Sequence, residues 1–77
     1  MSKGTYARDL GKVLRQRRRM LGLTQTEVAE LAGTTQRTVS EAEAGSASGF
    51  HIYASVADVL GLQIVAMPAA DDRRMSS

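Results

Sequence analysis

QTEVAELAGTTQRTVSEAEA, running from Gln25 to Ala44, decides the fold of this 77-residue chain. Its apolar spacing places Val28, Ala29, Leu31, Ala32 and Val39 on the inner faces of two short helices hinged at Gly33. Thr24 precedes Glu27 by three positions, the arrangement in which a hydroxyl and a carboxylate reciprocally satisfy the free amides of a helix start. Ala29 is small enough for a second helix to cross nearby, and Gly33 supplies the positive φ that a sharp exit from the first helix needs. Thr35 offers a second N-cap, and the helix it opens runs from Gln36 to about Ala44 and stops at Gly45.

Two short helices crossed about a tight turn form a helix-turn-helix, whose second member enters the major groove by its N-terminal end. DNA is therefore the leading candidate ligand. The residues expected on that outer, N-terminal side are Gln36, Arg37, Thr38 and Ser40. Gln36 has the donor and acceptor to bond an adenine edge twice, and Arg37 the fork to bond a guanine edge likewise. Thr38 and Ser40 suit thymine methyls or phosphate oxygens. Gln25, Thr26 and the start of the second helix suit the sugar-phosphate backbone, with Thr35 beside them, because free amides and the helix dipole favour an anion. Glu41 points toward the same side, where it repels phosphate but accepts from a cytosine amino group.

Outward from this pair, Thr5 to Leu21 reads as a helix, with Leu10, Leu14 and Leu21 on one apolar stripe and Val13 beside it. Arg18 falls on that stripe. An unpaired buried guanidinium costs several kcal/mol, so it snorkels outward or meets an acid, and Glu43 is the candidate partner. The alternative leaves both solvated. After the connector GSASG, residues 45–49, a fourth helix spans about Phe50 to Leu60 with Ile52, Val56, Val59 and Leu60 inward, and Gly61 stops it.

LQIVAM, which is Leu62, Gln63, Ile64, Val65, Ala66 and Met67, then reads as a short strand closed by Pro68. A lone strand leaves its backbone groups unpaired, and pairing with the same strand of a second copy solves this as a two-fold dimer. The alternative is an extended strip packed on the first and fourth helices. The expected architecture is all-α, a compact four-helix domain containing a helix-turn-helix, plus one C-terminal strand pairing across a dimer. It occupies residues 5–67, followed by a disordered tail, residues 68–77.

Charge is placed unevenly. The formal net charge is +2, yet seven basic residues stand against Asp9 alone in residues 1–22, and Arg37 stands against five acids in residues 23–62. A basic first helix on a mildly acidic remainder gives one electropositive face suited to phosphate, or simply a solvated basic helix. The chain has no cysteine and no run of about 18 apolar residues, so a disulfide framework and a membrane span are not expected, and a cytoplasmic setting is. No cofactor, metal site or catalytic group is expected. The lone His51 has no Cys, Asp or Ser at catalytic spacing, and Glu27 and Glu30 read as a solvated helix face. Tyr6 and Tyr53 read as core-edge aromatics.

From about Leu10 to Leu62 the chain resembles lambda-repressor and Cro type helix-turn-helix domains. The resemblance is carried by GLTQTEVAELAGTTQRTVSEAEAG, residues 22–45, with Gln25, Ala29, Gly33, Gln36, Val39, Glu43 and Gly45 in register. It implies that Gln25 caps the second helix against a phosphate, that Gln36, Arg37, Thr38 and Ser40 face the groove, and that Arg18 bridges to Glu43. Four helices followed by one apolar strand are similar to HipB-like antitoxins. This implies an autoregulating repressor that dimerises through an intermolecular sheet and binds a HipA-like kinase toxin. A stand-alone phage-type repressor, or a toxin-neutralising interaction module with little DNA role, are the competing readings. Two departures stand out: Ala42 replaces a larger core anchor, and Ser46 stands where a basic phosphate contact is usual.

Overall fold

The computed structural model describes residues 3–65, which form four helices: α1, Lys3–Met20; α2, Gln25–Ala32; α3, Gln36–Ala44; and α4, Phe50–Val59. None is long and apolar enough to cross a membrane. Helix α1 begins two residues before the position expected and ends one earlier, because the chain closes at Gly22. There Gly22 N–H donates to the Arg19 carbonyl at 3.0 Å and Leu23 N–H to that of Arg18 at 3.1 Å.

Both ends of the α2–α3 unit are built by local chemistry. Thr24 Oγ1 accepts from Glu27 N–H at 3.0 Å while Glu27 Oε1 accepts from Thr24 N–H at 2.8 Å, completing the reciprocal cap. Gly33 adopts φ 71°, which lets Thr34 N–H reach back to the Ala29 carbonyl at 2.9 Å and turns the chain sharply into α3. Thr35 Oγ1 then caps α3 by accepting from Thr38 N–H at 3.2 Å.

Leu14, Val28, Val39, Val56 and Leu60 are fully buried, one or two from each helix or its end, and Ala29, Ala42, Tyr53 and Ala57 complete the core. Several apolar residues assigned inward by spacing lie elsewhere. Leu31 is 67% exposed, because the buried arc of α2 is centred between Val28 and Ala29 and Leu31 sits roughly a third of a turn off it. Leu21, just past the end of α1, is exposed, as are Val13 and Tyr6. Tyr53, by contrast, is buried, and its hydroxyl accepts from Ala47 N–H at 3.2 Å, tying down the Gly45–Gly49 connector.

The tightest helix crossing is between α1 and the end of α3. A Cβ on Gly11 would stand 2.6 Å from the Ala42 carbonyl oxygen, and one on Gly45 would stand 2.7 Å from Arg8 N. The small anchor Ala42 therefore leaves no hole, since α1 comes in against its backbone at Gly11.

Leu62, Gln63, Ile64 and Val65 form no regular element. Leu62 and Ile64 pack against the core while Gln63 and Val65 are exposed, the alternation of an extended strip. Gln63, Ile64 and Val65 make no backbone hydrogen bond to any described residue. Ala66, Met67 and residues 68–77 lie outside the described residues.

Candidate nucleic-acid interface

Helix α3 buries Val39, Ala42 and Glu43, so at about 100° per residue its opposite face is centred on Arg37 and Glu41. Gln36 and Ser40 lie on one flank of that face and Thr38 on the other. The Arg37 side chain is 86% exposed, and its Nε donates to Glu41 Oε2 at 3.3 Å, one turn away. This pair presents a guanidinium and a carboxylate side by side at the helix surface. In solvent it is worth little as a stabilising contact, which leaves both groups available to another partner.

Behind the outer face runs a connected set of polar side chains. Arg18 donates from Nε to Glu43 Oε2 and from Nη2 to Oε1 at 3.1 Å, while its Nη1 holds the Leu23 carbonyl at 2.9 Å. Gln25 Nε2 donates to the same Glu43 Oε1 at 3.0 Å, and Gln25 Oε1 accepts from Gln36 Nε2. The Arg18–Glu43 pair is thus present as the sequence proposed, with side chains only 11% and 4% exposed. Through Gln25 it reaches the first residue of α3. Burial pushes the Glu43 carboxyl up, but the hydrogen bonds from Arg18 and Gln25 and the charges of Arg18 and Arg15 outweigh it and hold the group below its ordinary range. The Glu43 hydrogen bond raises the Arg18 pKa against the opposing effect of burial. Both remain charged, and their geometry is fixed.

Beside this network lies a cleft of about 400 Å³ walled by Arg15, Arg18 and Arg19 of α1, Gln25 of α2, and Ser40, Glu43 and Ala44 of α3. Arg15 and Arg19 are exposed and four apart, on one face of α1. Neither was singled out by the motif reading, although their i, i+4 spacing in the basic helix was the available signal. The cleft adjoins the amide end of α2, a location suited to a phosphate.

The remaining candidates are distributed as follows. Thr26 is exposed in the first turn of α2. The Thr35 hydroxyl is engaged in capping and lies 3.0 Å from that of Thr38. Thr38 itself borders a separate cleft with Gly33, His51 and Ser55. Leu62 to Val65 line an apolar groove with Leu10, Val13 and Leu14 that shares no residue with the basic cleft.

A family model described as a helix-turn-helix domain matches residues 9–70. The chain belongs to the helix-turn-helix domain family. No curated protein matches it. Membership agrees with the geometry of α2 and α3 and makes this a DNA-binding domain of regulatory type.

Proposed function

We propose that this helix-turn-helix protein is a sequence-specific transcriptional repressor that binds an inverted-repeat operator as a dimer. The observation that carries the reading is the outer face of α3, where Arg37 stands exposed and Glu41 half-buried beside Gln36, with a cleft flanked by the exposed Arg15 and Arg19 on the adjoining side. Arg37 and Gln36 read base edges, Glu41 accepts from a cytosine amino group, and Ser40 and Thr38 contact the groove walls. Gln25, Thr26, Arg15 and Arg19 hold phosphates. Thr35 shapes the start of α3 and brings its backbone close to the rim.

The dimer closes through residues 62–67 as an intermolecular strand pair. Its support is that the backbone of Gln63 to Val65 makes no hydrogen bond to any described residue, together with the in-out alternation of residues 62–65. Two copies then read half-sites about 34–36 Å apart, or a multiple of that. Binding, not catalysis, is the activity, and the cytoplasm is its setting. On the resemblance to HipB-like antitoxins, the same chain neutralises a HipA-like kinase toxin. A kinase-type gene beside this one would support that role, and a phage lysogeny cassette would favour a stand-alone repressor.

Titration of a random-sequence duplex and of selected inverted repeats at about 50 and 200 mM salt tests the DNA reading. Groove binding predicts a steep fall of affinity with salt together with a sequence preference that survives it. No duplex affinity at the lower salt would leave a protein-interaction module in its place.

A further inference from the structure

Helix α1 carries a second surface that the DNA reading leaves unused. Tyr6, Val13 and Met20 are 65%, 49% and 76% exposed and recur every seven residues, so they form a single line along the helix. At about 100° per residue, this line lies on one side of the buried strip holding Leu14 and Gly11, and Arg15 and Arg19 of the basic cleft lie on the other. A partner on the apolar line therefore leaves the DNA side free.

The line is symmetric about its middle member. Tyr6 and Met20 are each seven residues from Val13, and Asp9 and Arg17 are each four residues from it. When two α1 helices cross antiparallel on a two-fold axis at Val13, Tyr6 meets the partner's Met20, Asp9 meets the partner's Arg17, and Val13 meets itself. A two-fold interface requires this self-complementarity. It joins an aromatic ring to a thioether and an acid to a guanidinium, twice each. Asp9 has no ion pair with any described residue, and Arg17 uses only its Nε, on the Leu60 carbonyl at 2.9 Å. Val13 and Val65 line one groove, so the axis through Val13 passes beside the strip proposed to pair as a strand.

From this pattern, we infer that a second copy of the chain docks on the Tyr6–Val13–Met20 line of α1, antiparallel and centred on Val13. The inference rests on the dimer reading and extends its interface from the strand to α1.

Sedimentation equilibrium on designed pairs tests it. Val13→Asp, Asp9→Arg and Arg17→Asp each weaken dimerisation by about tenfold or more, since each sets like or unpaired charge at the contact. An equimolar mixture of the Asp9→Arg and Arg17→Asp chains recovers dimer. In that heterodimer a chain basic at both positions faces a chain acidic at both, so a guanidinium meets a carboxylate at each end. Should Arg17→Asp fold poorly, Tyr6→Arg mixed with Met20→Asp gives the same rescue from two exposed positions. Single variants as dimeric as the parent, a mixture that stays monomeric, or a monomeric parent each overturn the inference. A dimeric Val13→Asp beside a monomeric Ile64→Asp overturns it while leaving the strand pairing standing.

Discussion

The α2–α3 unit and the strip from Leu62 to Val65 stand at opposite ends of structural self-sufficiency. At the first, the helix caps, the turn at Gly33 and the buried Glu43 all find their hydrogen-bond partners inside the chain. At the second, two apolar side chains reach the core while the backbone of three successive residues pairs with none of the described residues. A segment whose polar groups are satisfied within the folded chain needs no second copy to complete it and offers its outer face to a ligand. A segment with open backbone groups is completed from outside, which is why the two regions are assigned DNA and a second copy respectively.

Removing Glu43 does the most damage to the first region. Glu43→Ala leaves the Arg18 guanidinium buried and unpaired and frees Gln25 from its acceptor, so unfolding stability falls by about 3–5 kcal/mol in chemical denaturation. The same pair sets an acid limit. Because the folded carboxyl titrates below its ordinary range, its contribution is complete above about pH 4.3 and is lost as pH falls through the folded value. Thermal melts of the parent therefore drop on acidification below that point, and those of a Glu43→Gln variant drop less.

Gly11→Ala comes next. The added methyl meets the Ala42 backbone, which has no side-chain freedom to yield, and costs about 1–3 kcal/mol, read as a lower denaturant midpoint at unchanged slope. Arg19→Ala touches the cleft and not the core. It lowers the slope of log affinity against log salt by about 0.9 for each phosphate the side chain no longer neutralises, with base preference unchanged. The second region gives the mildest effect on folding. Val65→Asn changes the stability of the dissociated chain by less than about 0.5 kcal/mol, while weakening self-association in sedimentation.

What the sequence disclosed follows the range of the forces involved. Thr24 with Glu27, Gly33, Thr35 and Gly45 act within a few residues of themselves, so helix ends were legible. Arg18 was legible through its conflict with an apolar stripe, which demanded an acid, and Glu43 supplies it. Leu31 and Leu21 were misplaced because the arc a helix buries is chosen by its neighbours and not by its own spacing. Gly11 gave no sign, since its need for hydrogen in place of a methyl comes from a carbonyl on a distant helix. Arg15 and Arg19 become a cleft only when α1 lies against α2 and α3, and the bonding of Gln25 to both Glu43 and Gln36 likewise required the assembled fold.

If the N-terminal half of α3 reads base edges with Arg37 at its centre, the operators selected from randomised inverted repeats must differ between the parent and the Arg37→Ala chain. The expected difference is a loss of about 1–3 kcal/mol of preference at one G·C position in each half-site, with the other positions retained. Identical selected sequences, or an equal loss on every sequence, would contradict base reading by Arg37.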